Sequence, residues 1–404
     1  MAEGKHGRGL QRAINLLIQY GQAVGADRMA EITSAHVMPK EPPALLEEYT
    51  LDMEELPVKT TLHPYMSAFS PEKWGQMGID RPYAESELPD CEKRREIHER
   101  LGFIKTYSCL PMTLGNLPPN GSLNSWIGSC AQILSNSMLG ARTNKDGTIV
   151  NMCSALTGRT PYFGLLRDEN RYAQVVIRTE PDVALETDDD YGALGYYVGE
   201  NVTNKSVVFA DLDPKISFDH LKYLIAPAAA SGSVHICHVV GVTPEAPTLK
   251  AALGGREPER VITVAKRNIE DTKEKFRFEK PENADLVLLG CPHVTVEEAG
   301  HIAKLLRGRK LSAGKRLWLG MGNPVYTLCG DMGYTEVIEA AGGVISNVCM
   351  ATIPDSPLPA GTKKVLTNSF KAAHYVNSLQ KGKVKVMVAS LESCLEAITG
   401  LKEG

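Results

Sequence analysis

With 404 residues, the chain is too long for one ordinary core and implies two or three domains or subdomains. Hydrophobic residues at 43% and charged residues at 23% are the balance of a globular protein with ample core. Its 44 basic and 48 acidic residues leave a formal charge of −4, which gives no reason to expect nucleic acid or an anionic membrane as partner.

No apolar run approaches the roughly 20 residues that span a bilayer. The first residues, Met1 to Arg8, lack the apolar centre of a signal peptide, so a cytoplasmic protein is expected. Nine cysteines at irregular spacings do not make a secreted disulfide framework. In a reducing compartment most would be small buried hydrophobes.

In chain order, Leu10, Ala13, Ile14, Leu17 and Val24 recur at helical spacing, so the stretch from Arg8 to Val24 predicts an amphipathic helix. Residues 39–48, with three prolines and several glutamates, predict a loop or linker. The polar stretch from Ser70 to Arg100 is expected to cover the body and not to form a core layer. Candidate strands of the middle part are Gln174–Arg178, Ser206–Ala210 and Val234–Val240, and Asp188-Asp189-Asp190 between them reads as a solvated loop. The last third alternates strands with helices: Leu286–Leu289, Arg316–Leu319, Val344–Asn347, Val365–Thr367 and Val384–Val388 are the strands, and Thr295 with Glu298 makes a capping box. That alternation predicts a parallel sheet and an α/β fold, in which ligands bind beyond the carboxyl ends of the strands. A tentative subdivision is 1–100, 101–280 and 281–404.

Three cysteines stand where strand-like runs stop: Cys109, Cys291 and Cys349, separated by 182 and 58 residues. Thiols at strand ends are poorly placed as core filler, and three could converge on a metal or an iron–sulfur centre. Three thiolates leave one iron of such a cluster open as a Lewis acid. Zinc is the competing reading, through Cys291 with His293 or through His235-Ile236-Cys237-His238, although paired Cys-x-x-Cys spacing is absent. On spacing alone, both readings lose to plain structural cysteines. Gly320-Met321-Gly322 follows a strand, but Val325 stands where a dinucleotide fingerprint needs glycine, so a tight turn is expected. Arg142 and Arg159 each lie beside glycine and amide or hydroxyl groups, a chemistry suited to carboxylate or phosphate, and Lys371 opens a helix after Asn368-Ser369.

Several segments together resemble aconitase X, a branch of the aconitase superfamily of hydro-lyases, in its large catalytic subunit. They are Asn136 to Asn144 (NSMLGARTN), Thr157 to Gly164 (TGRTPYFG), Gly241 to Thr248 (GVTPEAPT), Gly290 to His293 (GCPH) and Thr367 to Tyr375 (TNSFKAAHY). The resemblance implies an aconitase-like catalytic core of several α/β/α subdomains around a central site, spanning 1–404, without the swivelling domain. It implies dehydration of a small hydroxy acid, such as 5-phosphomevalonate or cis-3-hydroxy-L-proline. It places Cys109, Cys291 and Cys349 at the positions of the cluster ligands, with a four-iron, four-sulfur cluster favoured. It also implies a small partner subunit that carries the swivelling domain and the base. Asn136, Arg142, Thr157, Arg159, Asn368, Ser369 and Lys371 are then the expected substrate contacts. Two positions depart from the family pattern: Gly128 stands where a carboxylate is usual, and His63 where the family tends to have asparagine. The alternative they raise is a subunit that kept the fold and lost catalysis. A thiol redox protein using Cys130 or Cys291 is a further reading.

Overall fold

The computed structural model describes residues 1–64, 71–349 and 358–399. Ser70 and Met350 lie outside them. The N-terminal helix runs Arg8–Ala23 and buries Ala13, Ile14 and Leu17 against Val150 and Cys153 of helix Thr148–Thr157.

Among the described residues fourteen strands follow one another along the chain. The first five are β1 (Met29–Glu31), β2 (Ser34–Val37), β3 (Lys59–Leu62), β4 (Asn124–Trp126) and β5 (Arg159–Pro161). The middle four are β6 (Val175–Thr179), β7 (Val207–Phe209), β8 (Cys237–Val239) and β9 (Arg260–Val264). The last five are β10 (Leu286–Leu289), β11 (Arg316–Gly320), β12 (Val344–Ser346), β13 (Lys364–Thr367) and β14 (Lys385–Val388). Three parallel sheets result, ordered β3-β2-β4, β8-β7-β6-β9 and β12-β11-β10-β13-β14, and an antiparallel pair joins β1 to β5. Runs such as Leu286-Val287-Leu288-Leu289 are buried on both faces, as strands covered by helices on each side must be.

The chain changes sheet at other places than residue 100. β4 pairs with β2 in parallel, Ser34 opposite Asn124, so the stretch after residue 100 returns to the first sheet. Helix Arg81–Arg100 is a crossover between strands of that sheet, not a boundary. It is mostly exposed and packs on the body through a few positions: Cys91 and His98 are fully buried, and Trp74 of the preceding helix is nearly so. Polar composition concealed a few large contacts that anchor these helices to the body.

Two further expectations are corrected. Residues 43–50 form a helix, Pro43–Thr50, with proline in the first turn where its missing N–H costs nothing. The three aspartates are no solvated loop. They open helix Asp188–Asn201, where Asp190 completes a capping box with Thr187, and Lys273 lies 2.6 Å from both Asp189 and Asp190. A helix N-terminus and one lysine hold the charge that repulsion alone would send into water. That helix packs tightly on helix Phe218–Gly232: a Cβ on Gly195 would sit 1.9 Å from the Leu224 carbonyl oxygen. No helix among the described residues is long and apolar enough to cross a membrane.

Candidate active site

The carboxyl ends of the first and third sheets face one cavity of about 250 Å³. Met38 follows β2, His63 follows β3 and Gly128 follows β4; Gly290 and Cys291 follow β10, Cys349 follows β12, and Lys371 follows β13. Cys109 reaches the same wall from a loop beside β3, where the Leu62 carbonyl accepts from Ser108 N at 3.2 Å and from the Thr106 hydroxyl at 2.9 Å. All three strand-end cysteines therefore line one space. The middle sheet contributes nothing to the lining.

Local geometry explains the placement. Gly290 has φ of +88°, and a Cβ there would lie 2.3 Å from the Gly320 carbonyl oxygen on the neighbouring strand. Only glycine lets the chain turn Cys291 over the sheet edge. The Ser369 hydroxyl donates to the Cys291 carbonyl and accepts from Ala372 N at 3.1 Å, capping helix Phe370–Leu379 while clamping it to the cysteine turn. His293 ties the loops together: its backbone N–H donates to Cys109 Sγ at 3.3 Å, and its Nε2 bonds the Val348 carbonyl at 3.2 Å. A carbonyl only accepts, so Nε2 carries the proton. Burial lowers the His293 pKa to about 4, so the ring stays neutral. Sequence reasoning offered His293 as a zinc ligand; here it links the Cys109 and Cys349 segments from a position two residues after Cys291.

Lys371 is buried, lines the cavity from the first turn of its helix, and has no hydrogen bond or ion pair among the described residues. Burial opposes its charge, yet the sulfurs of Cys130, Cys291 and Cys109 outweigh that and hold the ammonium above its ordinary value. The Cys291 thiol is itself pushed up, chiefly by burial. Cys109 is raised well above the thiol range, first through its hydrogen bond with Cys130 and then by burial. One turn beyond Lys371, Tyr375 donates to Ser129 Oγ at 3.0 Å and bridges the third sheet region to the first. Lys40 stands at the mouth. No Asp or Glu side chain lines the cavity among the described residues.

Of the expected substrate contacts, only Lys371 is on the cavity wall. Ser369 supports it, and Asn368 donates to the Tyr223 hydroxyl at 2.8 Å, joining the third region to the middle one. Asn136 accepts from Thr143 N and from Arg171 Nη1, deep in the scaffold. Arg142 pairs with Asp168 at 2.5 Å and donates to the Leu166 carbonyl. Thr157 donates to the Cys153 carbonyl within its own helix, and Arg159 pairs with Glu31 across β1 and β5 at 2.6 Å. These four bond protein groups and do not line the cavity. His238 and Cys237, the other zinc suggestion, serve the middle core: His238 Nε2 bonds the Arg171 carbonyl and Cys237 N donates to Ser137. Ser129 and Tyr375 were missed, although Tyr375 could have been found four residues after Lys371 on the same helix face.

Residues 1–169, 173–274 and 284–400 match the first, second and third domains of aconitase X. The chain belongs to the aconitase X family. It is 33% identical to the phosphomevalonate dehydratase large subunit of Methanocaldococcus jannaschii, over 95% of this chain and 94% of that one. It is 30% identical to the cis-3-hydroxy-L-proline dehydratase of Pseudomonas aeruginosa, over 98% of this chain and 68% of that enzyme. The crystal structure of Thermococcus kodakaraensis aconitase X in its holo form superposes with a TM-score of 0.83 at 31% identity, covering 98% of this chain and 97% of that one. The protein is thus an α/β hydro-lyase of the aconitase X type, and the reading as an inactive scaffold subunit is set aside.

Proposed function

We propose that this chain is the catalytic subunit of an iron–sulfur-dependent dehydratase acting on a small anionic hydroxy acid, with 5-phosphomevalonate favoured over cis-3-hydroxy-L-proline. One observation carries the reading: among the described residues, three thiols and a buried lysine without an ion-pair partner share a cavity that no carboxylate lines.

The donor set fits a cluster. Among the described residues no three His, Cys, Asp or Glu side chains converge as the ligands of a single metal ion would. A polynuclear cluster asks for something else, since its cysteines bind different irons and so surround the group. Cys109, Cys291 and Cys349 would hold it, with a four-iron, four-sulfur form favoured by three ligands and one open position. The cluster would supply a Lewis acid for the departing hydroxyl.

The residues of this chain do the rest. Lys371 sits where a carboxylate or phosphate can neutralise it, and a charge-assisted hydrogen bond of this kind contributes about 1.5–3 kcal/mol. Lys40 at the mouth adds a second positive charge, suiting a substrate anionic at both ends. Among the described lining residues a prolinium nitrogen would find two lysines and no carboxylate. With no carboxylate on the wall among the described residues, the proton-abstracting base is assigned to a small swivel-domain subunit, in line with relatives named as large subunits. A reducing cytoplasm suits such a thiol-held cluster.

The test is anaerobic reconstitution of the full chain, with its small subunit, in iron and sulfide. The expected product is brown, contains iron and labile sulfide, and dehydrates 5-phosphomevalonate in preference to cis-3-hydroxy-L-proline. A Cys291→Ser variant should lose the iron. A colourless, iron-free complex would overturn the cluster assignment, and preference for hydroxyproline would overturn the substrate assignment.

A further inference from the structure

His63 and Gly128 come from different strands, β3 and β4, which flank β2 in one sheet. Both line the cavity that holds the three cysteines and Lys371. The His63 backbone N–H donates to the Val37 carbonyl at 2.8 Å, which fixes the start of the side chain at the sheet edge. From there the ring lies over Gly128. A Cβ on Gly128 would be 2.6 Å from His63 Nε2 and 2.7 Å from Cδ2, closer than real atoms pack. The φ of Gly128 is +94°, which also excludes ordinary side chains. The imidazole occupies the volume that any side chain at 128 would fill.

His63 is 6% exposed, and its Nδ1 is buried with no side-chain partner among the described residues. The His36 ring packs beside it, with ring centroids 5.5 Å apart. Burial, helped by His36, Lys371 and His293, holds it well below the ordinary histidine range, so it is a neutral group with one N–H and one lone pair. A buried imidazole with incomplete hydrogen bonding costs stability unless something else in the cavity completes it.

We infer that His63 is a substrate-contacting, specificity-determining residue, a hydrogen-bonding group facing a hydroxyl or anionic oxygen of the bound hydroxy acid, and that Gly128 is the positioning residue that seats it. The inference deepens the substrate assignment above and rests on it. Lys371 supplies charge and His63 supplies direction. Gly128, where a side chain is missing, then marks a rebuilt wall and not a lost function.

The experiment measures 5-phosphomevalonate binding by calorimetry, its KM and kcat, and iron content, on the reconstituted complex. His63→Ala should weaken binding and raise KM by about tenfold or more, with a smaller change in kcat and unchanged iron. His63→Asn, which keeps a neutral donor and acceptor, should recover part of the affinity. Gly128→Ala should weaken binding by displacing the ring, and should cost less when added to His63→Ala than when made in the wild type. Affinity within twofold of wild type for His63→Ala, or iron lost in step with affinity, would overturn the inference. If the wild-type complex binds 5-phosphomevalonate but turns over neither candidate, the proposed reaction fails while the His63 assignment still stands or falls on the affinities. If the wild type binds neither 5-phosphomevalonate nor cis-3-hydroxy-L-proline, both readings fall.

Discussion

Among the described residues two lysines are buried, and they are buried differently. Lys222, on helix Phe218–Gly232 of the middle region, is 0% exposed and forms ion pairs with Glu298 and with Asp219, the latter at 3.2 Å. Glu298 belongs to the capping box of helix Val296–Leu306 in the third region, where it also accepts from Thr295 N at 2.7 Å. Lys222 therefore joins two regions through a network of ion pairs. Lys371 is 5% exposed and faces a cavity with no ion-pair partner among the described residues. A buried charge that the protein itself completes reports on the fold; one left incomplete reports on a ligand.

Substitution by methionine separates the two. Lys222→Met strands Glu298 and Asp219 without their cation, so unfolding free energy in urea should fall by about 3–5 kcal/mol. Lys371→Met removes a cation that no protein group needs. Turnover of the reconstituted complex should fall by about 10²–10³-fold while the urea midpoint stays level or rises. A collapse of stability in Lys371→Met with no loss of substrate affinity would erase the contrast.

The Lys222 network can be probed further through an excess of acid around it. Burial first, then the charge of Glu298, pushes the Asp188 carboxyl up to about 7. Its folded pKa lies above its unfolded value, so the folded state resists ionisation and stability falls as pH climbs from about 4 to 7. Asp188→Asn should be as stable as the wild type near pH 4 and more stable at pH 8, by a few degrees in thermal melts. Equal gains at both pH values would show that charge is not the cause.

Much of the C-terminal third was legible in advance. Its strands are short β-rich runs between glycine or asparagine turns, and the Thr295–Glu298 capping box involves residues three apart. Position at a strand end also singled out Cys291, Cys349 and Lys371, because in a parallel sheet the carboxyl edge is a local property of each strand. The arginines misled for the opposite reason. Arg142 and Arg159 carry the right chemistry for an anion, yet Asp168 and Glu31, their partners, cannot be paired to them from sequence.

The sequence by itself determined the α/β class, the helical and strand periods of the last third and, through its ordered motifs, the resemblance to aconitase X. Only the tertiary structure decided which groups meet. Cys109 joins Cys291 and Cys349 because two sheets point their carboxyl edges at one cavity, and His63 fills the space above Gly128 because β3 and β4 flank β2. Whether a buried lysine is paired or left for a ligand depends on residues tens of positions away, so it is settled by packing and not by local sequence.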